Sequence, residues 1–259
     1  MIPSLFVSHG SPMMAVESSA THRFLQTLSA QFERPKAIVC ASAHWETTEP
    51  AVTAAAHPQT IHDFYGFPEQ LYSLRYPAPG APTLAQRAAQ LLHEAGFTPT
   101  LDPERGLDHG AWVPLKLMYP DAAIPVIQLS VQTHRDPAHH LALGQALRPL
   151  RAEGILIMGS GSTTHNLREL RWQERDAAPV DYALAFTQWL KNAIVHNQRA
   201  TLLAFQNQAP LARRNHPTPE HFLPLFVALG AAATDDTPGQ VLHDVFNYGA
   251  LSMTAFAWD

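Results

Sequence analysis

Five histidines of this chain stand where side chains distant in sequence could meet. His9, His44 and His165 each follow a short apolar, strand-like run, at residues 5–7, 37–41 and 155–158, and each sits among small and polar neighbours. In α/β folds ligands bind beyond the carboxyl ends of strands, so this placement lets the three converge. One such histidine caps or is solvated as readily as it binds a ligand. Three that repeat the same pattern point to a shared object. A metal ion is the simplest object that needs several neutral imidazoles in one place, because neighbouring imidazolium ions would repel. Histidine nitrogen suits Fe(II) or Zn(II), whereas calcium and magnesium favour oxygen.

Two further histidines join them. His221 follows Thr218-Pro219-Glu220, which reads as the N-cap and first turn of a helix. The adjacent Glu220 is an alternative third ligand, completing a two-histidine, one-carboxylate set, and spacing cannot choose between neighbours. His109, within Leu107-Asp108-His109-Gly110, faces substrate or bonds to Asp108 or the backbone. Other chemistries find less support. Gly159-Ser160-Gly161-Ser162 lacks the spacing of a phosphate-binding loop and of a nucleophile elbow. Cys40, the only cysteine, lies in an apolar run and reads as a core thiol, which excludes an intrachain disulfide and a cysteine metal cluster.

The elements that must position these side chains alternate between strand and helix. Further strand-like runs occupy residues 52–56, 124–129 and 251–257, with a possible short edge strand at 72–76. Helical spacing predicts helices from Pro82 to Gly96, from Pro137 to about Leu150, over 180–194, and from Thr218 through Leu229. The expected fold is α/β, a mixed or parallel central sheet flanked by helices. No linker or repeat interrupts it, so residues 1–259 are expected to form a single catalytic domain.

Composition narrows the function classes. The chain has 259 residues, 46% of them hydrophobic, enough for a full-sized core. Its 15 histidines nearly match its 17 lysines and arginines, and the net charge is −5. That charge offers no general attraction for nucleic acid or an anionic membrane. The start MIPSLFVSHG lacks the basic region of a signal peptide, so a cytoplasmic protein is expected.

The blocks LFVSHGSP from Leu5, SAHW from Ser42, LDHGAWVPL from Leu107, GSGSTTHNL from Gly159 and PEHFLP from Pro219 resemble the DODA-type aromatic ring-opening dioxygenases. These belong to the class III extradiol superfamily, which also holds the catalytic subunits of protocatechuate 4,5-dioxygenases. The likeness runs from about residue 2 to the C-terminal strand-like run, with the blocks in the expected order. It implies His9, His44 and His221 as metal ligands, with Glu220 as the fallback because the protocatechuate branch uses a glutamate there. It implies His165 as an acid/base beside the metal, in contact with it in some members, and His109 near the substrate. The implied reaction inserts both atoms of O₂ into a catechol such as L-DOPA by 4,5-extradiol cleavage, giving a muconic semialdehyde-type acid.

Fe(II) is the expected cofactor, since dioxygen chemistry needs a redox-active metal, and Zn(II) is plausible in purified protein. The loop over 45–76 is expected to wall the pocket, with His62, Phe64 or Tyr65 near the ring. Two rivals remain at this level. One is a zinc-dependent hydrolase with His165 as general base, and the other a non-enzymatic, protein-binding relative.

Overall fold

Apolar runs become central strands here because both of their faces are covered. In the computed structural model, which describes residues 2–259, the strands are β1 (Ser4–Ser8), β2 (Ala37–Glu46), β3 (Ala51–Thr53), β4 (Thr100–Asp102), β5 (Val126–Val131), β6 (Ile155–Gly161), β7 (Gln240–His243), β8 (Phe246–Asn247), β9 (Leu251–Ser252) and β10 (Ala255–Trp258). Helices of eight residues or more are α1 (Ala20–Leu28), α2 (Pro82–Glu94), α3 (His109–Met118), α4 (Pro137–Leu147), α5 (Asp181–Val195) and α6 (Leu223–Gly230).

Eight strands form one sheet in the order β4-β3-β5-β2-β6-β1-β10-β7, while β8 and β9 make a separate ribbon. The middle four, β5-β2-β6-β1, are parallel. The sheet turns antiparallel at β3 on one side and at β10 and β7 on the other.

Alternation along the strands builds two apolar layers. Leu5, Val7, Ile38, Cys40, Leu156 and Met158 pack with α1 and α3. Val39, Ala41, Ile127, Leu129 and Ile157 face the other way, onto α2, α4 and α6. Phe6, Phe256 and Trp258 extend that second layer beneath α5 and α6. Burial on both faces is why these strands read as continuous apolar runs. This is the α/β architecture that the strand–helix alternation predicts. No helix among the described residues is long and apolar enough to cross a membrane.

Several boundaries differ from expectation. The helix expected from Thr218 begins at Leu223. Pro224 has no N–H to give to the Glu220 carbonyl, so the regular ladder cannot extend back through it. His221 therefore precedes the helix instead of lying in its first turn. Residues 72–76 form no edge strand: Glu69–Ser73 is a short helix that buries Leu71. The run 251–257 is broken between Ser252 and Ala255, where the Met253 N–H goes to the Val245 carbonyl. The helix from Pro137 stops at Leu147, and a separate turn starts at Pro149. β4 and β7 gave no signal because they are partly exposed edges without apolar alternation.

Candidate metal centre

Strand register brings the histidines together. Ser8 of β1 lies beside Gly161 of β6, and Ser42 of β2 beside Ser160. The carboxyl ends of β1 and β6 thus coincide, with the middle of β2 beside them. His9 leaves β1 at that edge and donates its backbone N–H to the Gly161 carbonyl at 3.0 Å. His44 is placed two residues past Ser42, within β2 and not beyond its end as the apolar run suggested.

His221 arrives from the opposite layer. Its segment crosses β6 so closely that a Cβ on Gly161 would overlap the His221 carbonyl oxygen, and one on Gly159 the Pro224 carbonyl. The His221 carbonyl also accepts the Ser162 N–H at 2.8 Å. The glycines of GSGS therefore admit a crossing backbone, a role the sequence did not reveal.

The Nε2 atoms of His9 and His44 lie 3.0 Å apart, and those of His44 and His221 3.3 Å apart. The Nδ1 atoms face outward to acceptors. Ser160 gives its hydroxyl proton to the Gly110 carbonyl, so its oxygen accepts from His9 Nδ1 at 3.1 Å. His221 Nδ1–H donates to Glu220 Oε1 at 2.9 Å. His44 Nδ1 lies 3.3 Å from Asp63 Oδ2. With each proton drawn to Nδ1, three Nε2 lone pairs point at one another, an unfavourable arrangement unless a cation lies between them.

The spacing fits such an ion. Two donors about 2.1 Å from a metal and about 90–110° apart stand about 3.0–3.4 Å from each other. Acceptors behind imidazole ligands fix the tautomer and raise basicity. Glu220 occupies this backing position, on the far side of the His221 ring from the shared point.

Electrostatics keep the cluster neutral. Burial first, and then the neighbouring histidines, hold His9 and His221 well below the usual histidine range. Burial and His109 push His44 down to about 3, against the opposing pull of Asp63.

His109 opens α3 directly after its N-cap, Asp108, whose buried carboxylate accepts from Ala111 N, Ser42 Oγ, Gln128 Nε2 and Arg105. The acid beside His109 is therefore not its neighbour Asp108 but Asp63. Asp63 Oδ1 accepts the His109 backbone N–H at 2.9 Å and lies 3.0 Å from His109 Nδ1, off the axis of a good hydrogen bond. Burial raises the Asp63 carboxyl, yet the close His109 side chain and backbone N–H, and then His44, bring it down to about 2. Sequence reasoning missed Asp63, which pairs with His109 across 46 residues and belongs to no motif.

His165 lies on the loop after β6, its ring stacked on His221 with centroids 3.4 Å apart and planes at 11°. One of its ring nitrogens lies within 4.8 Å of ligand atoms of Glu220 and His221, but it does not join the three converging Nε2 atoms. Burial, then His44 and His109, lower it to about 4.

Over these rings opens a cavity of about 310 Å³, walled by Phe64, Tyr65, Phe67, Leu167, Trp172 and Leu251. Phe64 and Tyr65 are where the 45–76 loop was expected to meet a substrate. His62 is not: its Nε2 bonds to the Leu74 carbonyl at 3.0 Å, outside the cavity lining. A concave, largely apolar site with a few convergent polar groups is the form of a small-molecule pocket.

Comparison with known proteins points to one family. A family described as the catalytic LigB subunit of aromatic ring-opening dioxygenase matches residues 3–257. The chain is 45% identical over 257 residues to 4,5-DOPA dioxygenase extradiol of Beta vulgaris, covering 98% of this chain and 95% of that protein. It is 44% identical over 256 residues to the protein of the same name from Escherichia coli K12, covering 97% and 93%. The crystal structure of an uncharacterized protein from Escherichia coli K12 matches over 100% of both chains, with a TM-score of 0.84 at 36% identity.

Proposed function

The chain belongs to the family of catalytic LigB subunits of aromatic ring-opening dioxygenases, and from that membership we propose that it cleaves a catechol such as L-DOPA at the 4,5-extradiol bond, using Fe(II) and O₂. Residues 1–259 act as a single catalytic domain in this reading. The observation that carries it is the meeting of three Nε2 lone pairs beneath an aromatic-walled cavity of about 310 Å³.

His9, His44 and His221 would hold the metal, with Ser160, Asp63 and Glu220 steering their Nδ1 protons away from it. When bound, Fe(II) would supply the Lewis acidity and electron exchange that dioxygen chemistry requires; Zn(II) can occupy such ligands but cannot exchange electrons.

The protein's own groups manage protons and position. His165 is lowered to about 4 and so is neutral at pH 7, ready to take the proton of a catechol hydroxyl. Its stacking on His221 holds the ring at the cavity that it lines. His109 lies against His44, ring centroids 3.9 Å apart, and serves as a second hydrogen-bonding group toward the substrate. Phe64 and Phe67, whose rings pack edge to face, hold the aromatic substrate and displace water from its face.

The test is O₂ uptake after anaerobic loading with Fe(II), with L-DOPA and unsubstituted catechol as substrates. One O₂ consumed per ring opened, with a semialdehyde chromophore appearing, is the expected result. An iron-loaded enzyme that consumes no O₂ with any catechol would overturn the proposal.

A further inference from the structure

Two segments far apart in sequence run side by side next to the stacked His165–His221 pair. One, 162–169, leaves β6 and carries His165; the other, 214–221, ends at His221. A ladder of contacts joins them. The Ser162 N–H donates to the His221 carbonyl at 2.8 Å, and the His165 N–H to the Asn215 carbonyl at 2.8 Å. His216 Nε2–H donates to the Thr163 carbonyl at 2.8 Å, and Asn166 Nδ2 to the Arg214 carbonyl at 2.7 Å. Arg214 then holds both oxygens of Glu169, through Nε at 2.8 and 3.1 Å and Nη2 at 2.6 Å. Its guanidinium lies 4.0 Å over the Tyr182 ring of α5.

Neither His216 nor Arg214 lines the cavity. His216 is buried among Phe186, Phe205 and Phe222, where a polar ring costs free energy unless its polar atoms are used. Its Nδ1 has no protein partner, so the bond to Thr163 is its one polar side-chain link. The Arg214–Glu169 pair is exposed, and such pairs add little to stability. A bidentate guanidinium stacked on an aromatic ring instead fixes direction. Direction matters for His165. Its Nδ1 lies 3.9 Å from Glu220, beyond hydrogen-bond reach, so the ring depends on the stack and on its own loop's backbone.

We propose that His216 and Arg214 are positioning residues for the acid/base histidine. They hold the 163–169 turn against 214–216, and so set where His165 stands at the cavity. This rests on the catechol-cleaving reading above, in which His165 takes the substrate proton.

The experiment compares Arg214→Ala, Glu169→Ala, their double variant, His216→Gln and His216→Leu, with Arg213→Ala as an exposed neighbouring control. Iron stoichiometry, anaerobic catechol binding and kcat by O₂ uptake are measured on each iron-loaded protein. Amide exchange over 163–169 supplies a readout independent of turnover. Arg214→Ala and Glu169→Ala should each lower kcat by about tenfold, because small displacements of a reacting group are costly. Iron content and catechol binding should stay near wild type. The double variant should fall no further than either single one, since both remove the same contact. The His165 amide should exchange faster in all three. His216→Gln keeps an N–H donor and should stay near wild type, whereas His216→Leu should lose turnover as Arg214→Ala does.

Arg214 is half exposed, so its pair can be removed without opening the core, and its result stands even if His216→Leu does not fold. Wild-type kcat in Arg214→Ala, or in a folded His216→Leu, would overturn the proposal. So would an equal fall in Arg213→Ala, iron lost in step with kcat, or a fall in kcat with unchanged amide exchange. If the wild type consumes no O₂ with any catechol, the ring-opening reading fails by itself. Amide exchange then still decides whether 214–216 holds the turn.

Discussion

His165 and His221 lie one ring's thickness apart, yet the geometry gives them different tasks. The Nε2 of His221 points at the shared centre while its Nδ1 is held by Glu220. His165 stacks on that ring, with its own Nδ1 3.9 Å from the same carboxylate, beyond hydrogen-bond reach. His165→Gln should therefore keep iron stoichiometry and anaerobic catechol binding while turnover falls by roughly 10²–10⁴-fold, the usual worth of a positioned proton-transfer group. His221→Ala should lose iron and activity together. Glu220→Ala should weaken iron by roughly 10–100-fold without abolishing it, because it removes the group that orients a ligand. Iron content measured beside O₂ uptake separates the three. Iron lost in proportion to activity in His165→Gln would move His165 among the ligands, and full iron retention in His221→Ala would remove His221 from them.

At the scale of elements, the site depends on β6 yielding space. Its outer residues carry apolar side chains, but Gly159 and Gly161 leave room for the 221–224 backbone to lie against the strand, and Ser160 between them faces His9. One short segment thus spaces two layers of the fold and sets one imidazole's tautomer. Gly161→Ala should drive a methyl into the His221 carbonyl, where backbone and not a flexible side chain must yield. The expected loss of stability is about 1–3 kcal/mol, the range for overpacking a tight contact. Iron affinity should fall as well, since any shift of residue 221 moves its Nε2. Chemical denaturation and iron titration of the variant test both. Wild-type values in both would mean that the crossing has slack the structure does not show.

Over the whole molecule, burial holds six histidines below the usual range: His44 and His216 at about 3, His140 and His165 at about 4, and His9 and His221 well below it. His140 shows the cause away from the metal centre. Burial lowers it to about 4, against the raising effect of its bond to the Asp136 carbonyl, and its Nε2 must stay unprotonated to accept the Gln132 N–H. An unfolded histidine titrates near 6.5, so between about 4 and 6.5 the unfolded chain binds more protons than the folded one. Stability should be full above about pH 6.5 and fall as pH drops toward 4, with His140 alone contributing up to roughly 3 kcal/mol of the loss. Denaturation curves from pH 7.5 to 4.5, recorded in excess chelator so that metal release does not contribute, should show this slope. A flat profile would contradict neutral burial of these rings.

The sequence by itself determined the central strands and the main helices, and which residue types gather at the strand ends. Continuous apolar runs, helical spacing with Pro and Gly at its limits, and histidines after three such runs are local patterns, and local physics produces them. The order of the family-like blocks added the class of chemistry. Only the tertiary structure decided which atoms meet. Ser8 lies against Gly161 and Ser42 against Ser160 through pairing between strands far apart in sequence. The choice between His221 and Glu220 as the residue facing the shared centre turns on which side of one ring each atom lies, and a Pro-limited helix start and two glycines in another strand set that. Asp63 reaches His44 and His109 because a loop closes over α3, so neither partner could be read from spacing. Periodicity carries information along the chain; tautomers, lone-pair directions and charge partners depend on contacts across it, and those exist only once the layers have packed.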